Sequence, residues 1–194
     1  KIKNLNIRFI FLSTRKVYGK KVNATEKSKL KPQCNYSKNK VISEYSCKKI
    51  LNKKLIILRI SNLIGYRIHN EKRLHKTFMD HFLINVKKKK ISFNFNDYKD
   101  FLSIEQFSDI IYRICQDSNI FGIFNVSLGR KVFLIDLIKA LLKNSQKKVT
   151  IVDNPKLKSD NFVINNEKLL NRLKIELKIN KLIDYCHNLS KKIN

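Results

Sequence analysis

Leu55-Ile56-Ile57-Leu58-Arg59-Ile60 is apolar at every position but one. A strand with one wet face alternates apolar and polar side chains. A nearly continuous apolar run suits a strand covered on both faces, as in a parallel sheet flanked by helices. The segments around it fit that demand. Arg8-Phe9-Ile10-Phe11-Leu12 is a short strand-forming run followed by polar Ser13-Thr14. Residues 35–52 carry helical periodicity, with Val41, Ile42, Tyr45 and Ile50 able to share a stripe. Leu74 to Val86 reads as a helix, and Ile91-Ser92-Phe93-Asn94-Phe95 alternates as a strand with one wet face. A helix follows at 104–116, a strand at Phe121 to Val126, a helix at 132–144, a strand at Val149 to Val152, and two short closing helices. This alternation predicts an α/β fold with a mostly parallel sheet.

Composition narrows the function classes. The chain has 194 residues, enough for one ordinary domain or a domain with a small lobe, and 43% of them are hydrophobic, enough for a core. Four Gly and two Pro exclude collagen, low-complexity linkers and a Gly-rich phosphate loop. No window holds eighteen apolar residues, and the start, Lys1-Ile2-Lys3-Asn4, does not lead into a signal-type core, so neither a membrane span nor a secretory signal is expected. Cys34, Cys47, Cys115 and Cys186 form no C-x-x-C pair, which fits reduced thiols in a cytoplasmic protein. His69, His75 and His81 are spaced six apart and do not share a helix face, so no metal site is expected. The net charge of +27 invites a nucleic-acid reading, since phosphates reward dense Lys. The basic residues are spread along the chain, however, and the densest run, Lys87 to Lys90, sits at an expected helix end, where cations are favoured. No recognition motif accompanies it, and a compositional bias toward Lys, Asn and Ile explains the charge better.

Chemistry concentrates in three segments: Ser13-Thr14-Arg15-Lys16-Val17-Tyr18-Gly19, Tyr36-Ser37-Lys38-Asn39-Lys40 and Leu58-Arg59-Ile60-Ser61-Asn62-Leu63-Ile64-Gly65. Tyr and Lys four apart lie on one helix face. An ammonium beside a phenol favours the phenolate, which suits Tyr36 to take a proton from an alcohol while hydride leaves the carbon. Thr14, at a strand end, can hydrogen-bond the same substrate oxygen. Tyr45-Ser46-Cys47-Lys48-Lys49 is a second match to the spacing. Tyr36 opens its helix just after a loop containing Pro32, whereas Tyr45 lies turns further in, on the expected packing face. Tyr45 is therefore assigned to the core.

Taken together, the segments resemble the extended short-chain dehydrogenase/reductases, the NAD-dependent epimerase/dehydratase group that acts on nucleotide-linked sugars. The match runs through Ser13-Thr14, Val17-Tyr18-Gly19, Glu26, Pro32, Tyr36-x-x-x-Lys40 and Glu44. It continues through Leu58-Arg59-x-x-Asn62-x-x-Gly65, Lys99-Asp100-Phe101-Leu102-Ser103-Ile104 and Phe124-Asn125-Val126. It covers the chain to about residue 145. The resemblance implies a Rossmann-type parallel sheet, an NAD or NADP cofactor and a nucleotide-linked sugar substrate. It places Thr14, Tyr36 and Lys40 as the catalytic set, and Tyr36, Lys40, Ser13 and Ser61 against the cofactor. Thr14, Asn62 and Lys99 fall against the substrate, with Lys99 in place of an Arg that contacts the diphosphate. Lys keeps the charge but loses the bidentate fork. The acids that dehydratases carry after the Ser/Thr are replaced by Arg15 and Lys16, so an epimerase or keto-sugar reductase is expected instead. Gln106 stands where the family has Asp, and Asn94-Phe95-Asn96-Asp97 lacks the usual Gly.

The family's Gly-rich turn after the first strand has no counterpart, since Gly19, Gly65, Gly122 and Gly129 cannot build it. The chain, which begins with Lys, therefore reads as a portion of such an enzyme without its front half. On that reading, residues 1–66 are the C-terminal half of the cofactor domain. Residues 67–194 form a smaller substrate-binding lobe, with about 100–126 returning to the cofactor domain. By the same resemblance the helix at 36–51 lies in a homodimer interface. Two other readings stand beside the enzyme: a non-catalytic module of the same fold, motivated by the absent Gly-rich turn, and a basic polyanion binder, motivated by charge alone.

Overall fold

Strand β2 (Leu55–Ile60) occupies the centre of a three-stranded parallel sheet, between β1 (Phe9–Thr14) and β7 (Gly122–Val126). Its first five residues are buried, as its apolar run demands. Thr14 pairs with Ile60, and Ile60 with Val126, so the three strands end at one level. The computed structural model describes residues 7–51, 54–66 and 76–193.

A 3-10 turn (Arg15–Tyr18) and a loop lead from β1 to helix α1 (Asn35–Leu51), which returns to β2. The path from β2 to β7 runs through β3 (Asn62–Ile64), α2 (Phe78–Lys87), β4 (Lys90–Phe93), β5 (Tyr98–Lys99), β6 (Phe101–Ser103) and α3 (Ile104–Gln116). Beyond β7 come β8 (Val132–Phe133), α4 (Leu134–Leu142), β9 (Thr150–Asp153), α5 (Glu167–Leu173) and α6 (Ile179–Ser190). The short strands pair off: β3 with β6 and β4 with β9 in parallel, β5 with β8 antiparallel. The chain is α/β, as expected. Among the described residues no helix is long and apolar enough to cross a membrane.

Local chemistry explains the boundaries. The Ser103 hydroxyl accepts the Gln106 N–H, and the Gln106 side chain accepts the Ser103 N–H, closing a capping box at the start of α3. Gln106 also donates to the Lys178 carbonyl, so its amide ties α3 to the turn before α6. Thr77 and Asp80 cap α2 the same way. The helix expected from Leu74 thus begins at Phe78, and residues 74 and 75 lie outside the described residues, as do His69 and His75. The strand expected to reach Phe95 stops at Phe93, because Asn94 turns the chain by accepting the Asn96 N–H on its side chain. Val132 and Phe133 form β8 rather than the first turn of α4.

The main core cluster draws its buried residues from β2 onward to the end of the described chain. Ile56 and Leu58 of β2 join Phe82 of α2, Phe101 and Leu102 of β6, Ile110 and Ile114 of α3, Leu137 and Leu141 of α4, and Leu182 and Leu189 of α6. A small satellite forms around Val17, Tyr18, Ala24 and Ile164.

Helix α1 corrects one expectation. Tyr45, assigned to the core, is 62% exposed, beside Ile42 at 61% and Ile50 at 54%. The inward face of α1 is largely polar instead, with Ser37 and Glu44 buried and Val41 alone of the stripe packed against the Val17 cluster. An apolar stripe locates the core only where the core-facing positions are themselves apolar.

Candidate active site

A buried polar network underlies the C-terminal end of the sheet. Glu44 of α1 accepts two hydrogen bonds from Arg59 of β2, at 3.0 Å from Nε and 2.6 Å from Nη2. It takes a third from the Ser13 hydroxyl at 2.5 Å. Arg59 Nη1 donates to the Tyr18 hydroxyl at 3.0 Å, and Tyr18 donates on to Asn125 Oδ1 at 2.6 Å. The Asn125 N–H donates to Glu26 Oε1 at 2.8 Å, and its amide reaches the Ala24 and Asn165 carbonyls. Burial works against the Arg59 charge, but Glu44 and Tyr18 more than compensate and hold its pKa above the ordinary value. Burial pushes the Tyr18 phenol up, so it stays a neutral donor. The network fixes α1 against β2 and anchors the loop between β1 and α1.

Above it sit the residues expected to do chemistry. Thr14 ends β1, buried, with its hydroxyl accepting the Lys16 N–H at 3.3 Å. Tyr36 is the second residue of α1 and is partly exposed. Lys40, one turn on, donates from Nζ to the Leu12 carbonyl at 2.8 Å, which pins it to β1. Its ammonium lies 5.9 Å from the Tyr36 ring centroid, and that of Lys16 lies 6.0 Å from the same centroid. Two cations thus flank one phenol.

Ser13 and Ser61, expected against a cofactor, both donate their hydroxyls internally: Ser13 to Glu44, and Ser61 to Asp100 Oδ1 at 3.4 Å. A hydroxyl that donates once keeps lone pairs with which to accept. Asn62 opens β3, half-buried, its N–H on the Asp100 carbonyl at 3.3 Å. Asp100 itself is sealed from water. Its carboxylate accepts the N–H groups of Leu128 at 2.9 Å, Gly129 at 3.1 Å and Ile164 at 3.3 Å. Burial pushes this carboxyl up to about 7, with the backbone donors pulling the other way. Gly129 has φ +72, and a Cβ there would stand 2.6 Å from Asn166 Oδ1. Gly19, at φ +68, would drive a Cβ to 2.5 Å from the Lys31 carbonyl. Both glycines serve turns.

Beside Thr14 opens a cleft of about 640 Å³, lined among others by Arg15, Lys16, Lys20, Cys34, Lys158 and Asp160. Arg15 is buried, stacked 3.4 Å from the Phe162 ring centroid and paired to Asp160 at 2.9 Å, while its Nε meets no acceptor. Lys99 Nζ stands 3.9 Å from the same carboxylate. Burial lowers the Arg15 and Lys99 pKa values. Partial burial works to raise the Asp160 carboxyl, but Arg15, Lys99 and Lys16 outweigh it and hold it below the ordinary range. The Cys34 thiol is lowered by its contact with the Ser37 hydroxyl. Among the described residues no group of His, Cys, Asp and Glu is placed to hold a metal ion. Asp160 was not foreseen: it is one of 15 acids in the chain, in a segment with no periodic signal, and only the fold brings it to Arg15.

The family described as the NAD dependent epimerase/dehydratase family matches residues 1–127. The UDP-N-acetylglucosamine 4-epimerase from Methanobrevibacter ruminantium M1, solved with UDP-N-acetylmuramic acid, superposes with a TM-score of 0.77 at 19% identity. The UDP-glucuronic acid 4-epimerase from Bacillus cereus, solved with NAD, gives 0.77 at 21%. The dTDP-glucose 4,6-dehydratase from Bacillus anthracis, also with NAD, gives 0.67 at 19%. The three superpositions cover 98%, 99% and 96% of this chain, including its last third, where sequence offered only a coarse α/β pattern. The chain spans 64%, 64% and 62% of the lengths of those proteins. A comparison with the curated proteins finds no match.

Proposed function

Because the chain belongs to the NAD-dependent epimerase/dehydratase family, we propose that it serves an NAD(P)-dependent epimerase or keto-sugar reductase of nucleotide-linked sugars, with Tyr36 as the acid/base. The observation that carries this reading is the placement of Tyr36 and Lys40 at the head of α1, with Lys40 bonded to the Leu12 carbonyl two residues before Thr14. Open α/β sheets bind ligands beyond the carboxyl ends of their strands, and that is where Thr14, Ser61 and Asn62 lie.

The side chains present suit the nicotinamide-ribose end of a dinucleotide. Lys40 would hold the ribose beside Tyr36, with Ser13 and Ser61 offering acceptor lone pairs. Among the described residues no Gly-rich turn offers a pyrophosphate grip. The cofactor, when bound, supplies the acceptor or donor of hydride at the sugar carbon. Tyr36 takes the proton of the sugar hydroxyl as that carbon is oxidised, or returns it on reduction. Thr14 hydrogen-bonds the same oxygen and orients it. Arg15 and Lys16 offer no carboxylate for removing water, which favours epimerisation or reduction over dehydration. On this reading residues 1–66, with about 100–126, form the cofactor side and the rest of 67–194 the substrate side. The exposed apolar side of α1 pairs two copies of the chain.

Tyr36→Phe removes the proton-transferring oxygen and leaves the ring. On the full-length polypeptide it is expected to lower kcat by about 10²–10⁴-fold, with substrate affinity changed only a few-fold. Turnover near wild type in Y36F would remove Tyr36 from the mechanism.

A further inference from the structure

The cleft beside Thr14 is more cationic than a nucleotide-linked sugar needs. A diphosphate brings about two negative charges. The lining supplies Arg15, Lys16, Lys20 and Lys158, and Asp160 is the only carboxylate among the residues lining it. Lys99 stands behind that carboxylate at 3.9 Å. Asp160 is already engaged by Arg15 and Lys99, and it feels the charge of Lys16 without pairing to it, so among the described residues none of Lys16, Lys20 and Lys158 forms an ion pair within 4.0 Å. Position then separates these cations. Lys158 belongs to the segment before α5, and Lys20 follows the turn at Gly19. Lys16 lies two residues after Thr14, and its ammonium is 6.0 Å from the Tyr36 ring centroid. It is the cleft cation that stands beside the Tyr36 ring. Arg15, the residue before it, is clamped between Phe162 and Asp160, with its Nε meeting no acceptor.

We propose that Lys16, backed by Arg15, selects sugars that carry a carboxylate on the ring next to the reacting carbon, so that the substrates are nucleotide-linked acidic sugars. This rests on the reading of the site as one for nucleotide-linked sugars. The geometry fits because a pyranose held by Tyr36 and Thr14 at one hydroxyl places a substituent on the neighbouring carbon a few ångströms away. That is within reach of a flexible ammonium. A neutral hydroxymethyl group there would leave Lys16 facing water and gain nothing.

The test is calorimetric titration of the chain with UDP-glucuronic acid and UDP-glucose, which differ at the carboxylate. The corresponding 1-phosphates, glucuronic acid 1-phosphate and glucose 1-phosphate, serve as a pair without the nucleotide. The acidic member of a pair is expected to bind at least about tenfold tighter, as a charge-assisted hydrogen bond gives. Lys16→Met should erase most of that preference and leave the affinity for the neutral member within about twofold. Lys16 is exposed, so K16M should fold, and an unchanged circular dichroism spectrum would establish that it does. Equal binding of acidic and neutral members would overturn the inference and leave the nucleotide-sugar reading standing. So would a preference that survives in K16M. Binding of neither pair would overturn the nucleotide-sugar reading, and the inference with it.

Discussion

Glu44 is a carboxylate sealed inside a molecule that has 15 acids to 42 bases. Its partner Arg59 is equally buried, and the two share a bidentate contact. Removing one member of such a pair leaves an uncompensated charge in the interior, at about 3–5 kcal/mol. Glu44→Gln is expected to lose about that much in urea unfolding, while Glu44→Leu combined with Arg59→Leu should lose less than Glu44→Leu alone. In the sequence Glu44, Arg59, Tyr18, Glu26 and Asn125 stood out only as matches to a family pattern. Their role was hidden because each contact spans 15 to 107 residues. The thiols differ in a way sequence could not express. Cys34 is exposed and its pKa is lowered by Ser37, whereas burial pushes Cys186 up to about 12. Iodoacetamide at neutral pH should therefore label Cys34 first and Cys186 last by mass spectrometry, and Ser37→Ala should slow the labelling of Cys34.

Among the elements, helix α1 is the least conventional. It is tied to the sheet by Glu44, on Ser13 and Arg59, and by Lys40, on the Leu12 carbonyl, and its outer face shows Ile42, Tyr45 and Ile50 to solvent. Reading periodicity as burial inverted the helix, because that inference assumes the core-facing side is the apolar one. If the outer face pairs two copies, Tyr45→Arg should lower the mass measured by sedimentation equilibrium from dimer to monomer at micromolar concentration, with the fold retained. Other elements were legible for plain reasons. The continuous run of β2 and the strongly periodic, capped α3 carry their signals locally. β3, β5, β6 and β8 are two or three residues long, too short for any periodicity, and exist only because a partner strand lies alongside.

At the scale of the molecule, Asp100 gathers the ends of several segments: Ser61 after β2, Leu128 and Gly129 after β7, and Ile164 before α5. Its carboxyl rises from 3.8 unfolded to about 7 folded, so the folded state holds the proton over that interval. Its contribution is complete below about pH 4, declines as pH rises toward 7, and is constant above. At about 1.4 kcal/mol per unit the decline amounts to about 4 kcal/mol. Asp160 acts oppositely, since its lowered pKa favours folding above the unfolded value and that benefit is lost as pH falls. The signature of Asp100 is thus a difference. Asp100→Asn should be less stable overall, and its thermal unfolding should lack the decline between pH 4 and 7 that the wild type shows.

Strand β1 pairs on one side only among the described residues, with Leu12 exposed. Among the described residues, that edge offers backbone donors and acceptors to any extended segment that arrives, whether from the same polypeptide or from another copy. The charge of +27 works against such arrivals when the visitor is another copy, because like-charged molecules repel across roughly a Debye length of 10 Å at about 0.1 M salt. Colloidal behaviour should therefore be set by a contest between a sticky rim and a repulsive halo. Light scattering from the chain is expected to stay low in dilute buffer and climb as ionic strength approaches about 1 M, where the Debye length shrinks to about 3 Å.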